Sequence, residues 1–226
     1  IILNAHVERI SHHENQVQVH SEHAQLAVDA LLIASGRQPA TASLHPENAG
    51  IAVNERGAIV VDKRLHTTAD NIWAMGDVTG GLQFTYISLD DYRIVRDELL
   101  GEGKRSTDDR KNVPYSVFMT PPLSRVGMTE EQARESGADI QVVTLPVAAI
   151  PRARVMNDTR GVLKAIVDNK TQRMLGASLL CVDSHEMINI VKMVMDAGLP
   201  YSILRDQIFT HPSMSESLND LFSLVK

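Results

Sequence analysis

The residues with the most chemical potential lie near the C-terminus, in Thr210-His211-Pro212-Ser213-Met214-Ser215-Glu216. An imidazole stands directly before a proline, with a hydroxyl two residues on and a carboxylate five residues on. A histidine held by a carboxylate can work as a general acid/base, because its ordinary pKa of ~6.5 lets it take and release a proton near neutral pH. Proline biases the residue before it away from the helical region, so His211 is expected on extended backbone at the mouth of a helix. Ser213 to Glu216 reads Ser-x-x-Glu, a capping box with Ser213 as N-cap and Glu216 at N3. Met214, Leu218, Leu221, Phe222 and Val225 then share one helical face. Taken alone, the stretch fits a loop histidine ahead of a capped helix better than it fits a site.

A second candidate lies mid-chain. Ile72 to Met75 reads as a buried strand that ends in Gly76-Asp77. Gly76 lets a ligand or another backbone approach closely. An ionised Asp77 accepts hydrogen bonds only, which suits sugar-like hydroxyls, although a bare Gly-Asp also opens ordinary turns. After a connector from Gly80 to Ile87, Ser88 reads as the N-cap of a helix running to about Leu100, with Ile87 and Tyr92 as a hydrophobic staple. The positive end of that helix is expected to face whatever Asp77 faces, an arrangement suited to a hydroxyl-bearing, electron-rich ligand.

The elements that must position these residues fall into two halves. Residues 1–36 read as a β-meander made of Ile1–Ile10, the alternating Gln16–His20 and the apolar run Val28–Ala34. Five histidines fall there: His6, His12, His13, His20 and His23. A pair of them could chelate a divalent metal, but no carboxylate or cysteine is spaced to complete a site, and a solvated hairpin fits better. Ala58–Val61 is a further short strand. The polar stretch Gly101–Asn112 marks a domain boundary. Beyond it, strands at Val113–Met119, Ile140–Val147, Gly161–Val167 and Met174–Val182 predict an antiparallel sheet. Thr129 and Gln132 form a capping box, with Gly137 as a C′ residue. Asp183-Ser184-His185-Glu186 caps a long helix that ends at Gly198. That helix is apolar around much of its circumference, which implies burial on more than one side and makes a second subunit a natural partner. Its methionines, with Cys181 and His185, could be read as soft copper ligands, but core packing fits them better.

Composition narrows the function classes. An apolar content of 43% and a charged content of 22% fit a soluble globular chain. A net charge of -6 argues against a nucleic-acid partner, which would want a basic face. No apolar run approaches the ~20 residues of a membrane helix. The single cysteine excludes an intrachain disulfide and, with no signal peptide, fits the reducing cytoplasm. The apolar, strand-like start at Ile1-Ile2-Leu3 suggests the C-terminal part of a longer protein.

Four motifs, in order, carry a resemblance that covers essentially the whole chain. Ala34-Ser35-Gly36-Arg37-Gln38-Pro39 resembles the Ala-Thr-Gly-Arg-x-Pro turn of the class I pyridine nucleotide-disulfide oxidoreductases. Thr68 through Asp77 resembles their second FAD motif, and Val117 through Glu130 the start of their dimerisation domain. His211 through Glu216 resembles their His-Pro-Thr-x-Ser-Glu motif, with Ser213 in place of the threonine. The resemblance implies a mixed α+β and α/β fold. In it, 1–38 is the tail of an NAD(P)-binding domain, 39–111 the tail of an FAD-binding domain, both Rossmann-like, and 112–226 an α+β dimerisation domain with an antiparallel sheet.

It also implies roles. Asp77 would bind the ribityl chain of FAD, with Gly76, Phe84, Thr85, Tyr86 and Ser88 beside the cofactor. The helix starting near Ser88 would point its N-terminus at the flavin pyrimidine edge. His211 would be the acid/base toward a redox dithiol of the other subunit of a homodimer, and Glu216 would orient it. Electrons would pass from NAD(P)H to FAD, to the disulfide, and on to a small-molecule or metal-ion acceptor. Two departures bear on that acceptor. Phe209 stands where lipoamide dehydrogenases and glutathione reductases carry the first His of His-x-His, and Phe84-Thr85-Tyr86-Ile87-Ser88 looks more like mercuric reductases. The vicinal cysteine pair that mercuric reductases carry near the C-terminus is not among these residues. The chain also resembles a copper(II)-reducing, reactive-chlorine-resistance branch of the family, which implies a metal ion such as Cu(II) or an oxidant-stress substrate as the acceptor. A lipoamide- or glutathione-type disulfide reductase is the alternative. The 226 residues contain no glycine-rich phosphate loop and no C-x-x-x-x-C pair. On their own they are therefore expected to be inactive, a non-catalytic homodimerisation module.

Overall fold

The computed structural model describes residues 1–226 and divides them into two compact units, Ile1–Arg105 and Ser106–Lys226.

The first unit opens with an antiparallel meander of β1 (Val7–His13), β2 (Gln16–Ser21) and β3 (Ala24–Val28), paired in sequence order. The third strand ends where the sequence predicts it to begin. From Ala30 to Ala34 no ladder forms, and Leu32 and Ile33 are 89% and 73% exposed. The expected strands at Ala58–Val61 and Ile72–Met75 are each reduced to one antiparallel bridge, Val53 to Ile59 and His66 to Trp73. The physical reason is shared: a strand extends only where a neighbour continues to take its N–H and C=O groups, and here pairing stops after a single bridge or, at Ala30–Ala34, does not begin. Within Ile72–Met75 only Ala74 is buried, while Ile72 and Met75 are exposed. The long helix of the unit, α1 (Thr85–Leu100), buries Ile87, Asp91 and Ile94 along one face. The i, i+4, i+7 spacing puts these three in one stripe.

The second unit is an antiparallel sheet in the order β4-β5-β8-β7-β6. Its strands are β4 (Tyr115–Val117), β5 (Leu123–Gly127), β6 (Ile140–Pro146), β7 (Val162–Asp168) and β8 (Met174–Leu180). Between them lie the short helices α2 (Glu130–Glu135) and α3 (Pro151–Val155), and after β8 come α4 (Ser184–Asp196), α5 (Ser202–Asp206) and α6 (Ser217–Ser223). Register places Val126, Ala177, Ala165 and Val143 in one cross-strand row, all buried on the same face. Against that face pack Met187, Ile188, Val191 and Val194 of α4 and Leu218, Leu221 and Phe222 of α6. The small residues at the row's centre leave room for the helices to approach, so the large side chains come from above.

Of the expected caps, Thr129 and Gln132 form the complete box, and Gly137 closes α2 at φ +74. Asp183 does not cap α4: it sits in the left-handed region at φ 59 and its side chain accepts nothing from the helix. The hydroxyl of Ser184 instead donates to the carbonyl of Pro122 (2.8 Å), tying the helix start to the sheet.

Candidate functional site

The C-terminal candidate is built on α6 and the loop before it. The amide nitrogen Nδ2 of Asn219 lies 2.8–3.0 Å from the carbonyls of Leu204, Arg205 and Gln207, which clasps the end of α5 to α6. Phe209 packs against the core from the loop between them. These two anchors, neither evident in the sequence pattern, hold the backbone that carries His211. Its ring is largely exposed, and Nδ1 lies 3.0 and 2.8 Å from the two carboxylate oxygens of Glu216.

That contact corrects the expected capping box. Only half of it forms: the Glu216 amide donates to Ser213 Oγ (3.2 Å), but the Glu216 side chain does not return to Ser213. It turns to His211, and the regular helix begins only at Ser217. Both Glu216 carboxylate oxygens face the ring nitrogen, so neither is turned toward the Ser213 amide. With Nδ1 engaged, Nε2 is the ring atom left to exchange a proton with a reacting group.

The mid-chain candidate is a 3-10 turn, Gly76–Thr79, set against α1. Asp77 is exposed, and Arg37 Nη1 stands 3.4 Å from its carboxylate. Gly76 adopts φ +79, and a Cβ there would lie 3.0 Å from Ser88 Oγ. Ser88 is therefore not the N-cap. The helix begins one turn earlier, after the extended Phe84, and Ser88 lies inside it with its hydroxyl 3.5 Å from the Phe84 carbonyl. The expected staple of Ile87 and Tyr92 falls with it, because Ile87 is already helical and packs inward. The sequence is misleading at this point because Thr85 follows a phenylalanine, which has no acceptor with which to cap. Phe84 and Tyr86 stack at 5.1 Å with planes 8° apart, at the first turn of the helix. Burial raises the Tyr86 phenol above its ordinary value, so it remains an O–H donor at neutral pH.

The site fits a sugar-bearing dinucleotide on two observations. An outward carboxylate stands on a turn whose glycine sits at φ +79, with Ser88 Oγ 3.0 Å from where a Cβ would lie. Beside it, a helix begins with a residue incapable of side-chain capping. One residue that the sequence does not single out is Asp91, buried to 1% exposure, whose Oδ2 accepts the Gly76 N–H at 2.7 Å.

Cys181 and His185 do not converge on a site. The thiol is fully buried with Sγ 3.9 Å from Met187 Sδ, and burial together with Asp183 and Asp158 pushes it up to about 12. No cluster of three or more His, Cys, Asp or Glu side chains has the geometry to hold a metal ion.

Comparison with known proteins bears on both candidates. Residues 1–91 match the family model described as pyridine nucleotide-disulphide oxidoreductase, and residues 113–222 match the model for the dimerisation domain of the same family. The chain belongs to this family. Its curated relatives include mercuric reductases from Staphylococcus aureus and Streptomyces lividans. The first is 35% identical over 202 residues, spanning 89% of this chain and 37% of the relative. The second is 36% identical over 194 residues, spanning 86% of this chain and 41% of the relative. The chain thus spans about two fifths of the length of the curated relatives it matches. The crystal structure of LpdA from Mycobacterium tuberculosis superposes with a TM-score of 0.86 at 23% identity, over 97% of this chain and 48% of that one. The two-part family architecture and the antiparallel dimerisation sheet agree with the expected fold class. The family uses FAD and NAD(P)H. No helix of the chain is long and apolar enough to cross a membrane.

Proposed function

We propose that the intact protein is an FAD-dependent oxidoreductase that passes electrons from NAD(P)H through the flavin and a redox disulfide to a metal ion such as Cu(II) or to an oxidant-stress substrate. It works as a homodimer. In this assignment 1–38 and 39–111 close the NAD(P)- and FAD-binding domains, and 112–226 is the interface domain. The observation that carries it is the His211–Glu216 pair: an exposed imidazole held at Nδ1 by a carboxylate, on a loop anchored by Asn219 and Phe209.

FAD, when bound, accepts a hydride equivalent from NAD(P)H and supplies two electrons to the disulfide. The chain's own residues do the rest. Asp77 would hold the ribityl hydroxyls by accepting their hydrogen bonds, and the start of α1 would favour negative charge on the flavin, with Gly76, Phe84, Thr85, Tyr86 and Ser88 as the residues beside the cofactor. His211 gives its Nε2 proton to a thiolate leaving the disulfide and takes it back in the next half-cycle. Glu216 keeps the ring turned, with Nδ1 engaged and Nε2 left for the proton transfer.

The metal-ion acceptor is supported by the likeness to mercuric reductases at 33–36% identity and by the Phe84–Tyr86 context. The competing assignment is a lipoamide- or glutathione-type disulfide reductase, which the Phe209 anchor disfavours because the first His of His-x-His is missing. The test is a visible flavin spectrum in the intact protein that bleaches with NADPH or NADH, followed by reoxidation with Cu(II), Hg(II), lipoamide or oxidised glutathione in turn. Rapid reoxidation by Cu(II) is expected. Reoxidation by a disulfide alone replaces the acceptor, and a colourless intact protein removes the whole assignment. These residues alone contain neither phosphate loop nor cysteine pair, and no turnover is assigned to them in isolation.

A further inference from the structure

We infer that Asp91 is a positioning residue for the cofactor turn, acting through Gly76 on Asp77; this rests on the assignment of Asp77 to the flavin ribityl chain. The buried stripe of α1 is Ile87, Asp91 and Ile94. Packing alone asks for a leucine or isoleucine at the middle position, and a carboxylate there loses hydration that only a good donor can replace. One such donor is the Gly76 N–H, 2.7 Å from Asp91 Oδ2. It belongs to the residue immediately before Asp77. A hydrogen bond to a charged acceptor in a buried setting is among the stronger ones available to a backbone amide.

Gly76 is gripped from a second direction. Ser88 lies three residues before Asp91 on the same helical face. Its Oγ is 3.0 Å from where a Gly76 Cβ would sit, and the turn needs φ +79, which favours glycine. Three carbonyls of the turn are also engaged: that of Gly76 accepts from Thr79 Oγ1 (2.9 Å), that of Asp77 from the Gly80 amide (3.1 Å) and that of Val78 from the Ile59 amide (3.0 Å). In the arrangement these contacts hold, the Asp77 carboxylate is the group turned outward, half exposed and 3.4 Å from Arg37. Asp91 thus fixes the position of Asp77 relative to the start of α1, the two features that must meet the same ligand. A packing role alone would be indifferent to whether residue 91 can accept a hydrogen bond.

The test compares Asp91→Ala, Asp91→Asn and Asp77→Ala in the intact protein by FAD titration, with the flavin absorbance band and amide exchange at Gly76 as further readouts. Asp91→Asn keeps the volume and an acceptor oxygen. It is expected to bind FAD within about threefold of wild type, while Asp91→Ala weakens FAD on the order of tenfold or more and shifts the band. The Gly76 amide is expected to exchange slowly in wild type and in Asp91→Asn, which decides the matter even where Asp91→Ala does not fold. Wild-type affinity in a folded Asp91→Ala, or fast exchange at Gly76 in wild type, overturns the inference. So does an Asp91→Asn that loses FAD affinity and Gly76 protection together. If Asp77→Ala also binds FAD normally, the flavin assignment of Asp77 is what fails.

Discussion

Ser106–Lys226 and Ile1–Arg105 are held together in different ways. In the second unit every strand finds its partners within the unit, and the sheet presents a continuous apolar row to α4 and α6. Phe222, Leu163, Leu179, Met187 and Leu218 are shielded from water almost completely. In the first unit the buried apolar side chains are few, chiefly Ala58, Ile59, Leu65, Ala74, Ile87 and Ile94, while Leu32 and Ile33 stand in solvent. That unit relies on side chain to backbone hydrogen bonds: Thr68 Oγ1 bridges the Ala52 amide and the Gly50 carbonyl, Asp62 holds the amides of Arg64 and His66, and Asp97 holds those of Lys104 and Arg105. Apolar burial stabilises regardless of pH, whereas carboxylate-to-backbone contacts depend on it. The unit with the proton-transfer candidate is rigid by packing, and the unit with the cofactor candidate is shaped by polar turns.

The contrast can be broken most directly at Phe222. Phe222→Ala should cost ~3–5 kcal/mol, read by denaturant unfolding of the second unit. Ile33→Ala should change stability by no more than about 0.5 kcal/mol, because that side chain is already hydrated. Comparable losses at the two positions would erase the contrast.

Cys181 offers a smaller, pH-dependent effect. Burial raises its thiol from 9.0 to about 12, so the unfolded chain loses the proton first. Its contribution to stability is therefore complete below about pH 9 and is lost as pH rises toward 12, on the order of a few kcal/mol at the upper end. Thermal melts from pH 8 to pH 11 should show it, and Cys181→Ala should flatten the decline. Below pH 9 the native thiol should resist a thiol reagent until the unit unfolds. Smaller again is the cap at Thr129: Thr129→Ala should cost ~1 kcal/mol by removing the acceptor for the Gln132 amide.

The mildest effect should appear in the first unit at Asp97. Hydrogen bonds from the amides of Arg105, Lys104 and Glu102 hold its carboxyl below the usual range. The folded value is depressed, so the contribution is present above the unfolded pKa of ~3.9 and is lost as pH falls through the folded value. Amide exchange at 102–105 should quicken on acidification and in Asp97→Asn, with the second unit unchanged.

The second unit was largely legible in sequence because its signals are local. Apolar runs marked β4, β6, β7 and β8 but not β5 (Leu123–Gly127), Thr129–Gln132 announced its cap, and the spacing of Leu218, Leu221 and Phe222 gave the buried face of α6. The first unit was less so. Apolar runs at Val28–Ala34 and Ile72–Met75 suggest strands, but pairing is a property of neighbours rather than of the run. At the candidate sites, residue types were readable and partners were not. Ser-x-x-Glu suggests a cap, yet the carboxylate has a histidine within reach and turns to it. Asp91 looks like one of several charges on α1, and only its position on the stripe of Ile87 and Ile94, against an amide fifteen residues back, distinguishes it.

The function proposed above makes His211, held by Glu216, the acid/base of a flavin-linked reductase. The most direct measurement is steady-state acceptor reduction by the intact dimer with His211→Gln, at a flavin content matched to wild type. Turnover should fall by about 10²–10⁴-fold while NAD(P)H still bleaches the flavin. Wild-type turnover in His211→Gln would contradict the account.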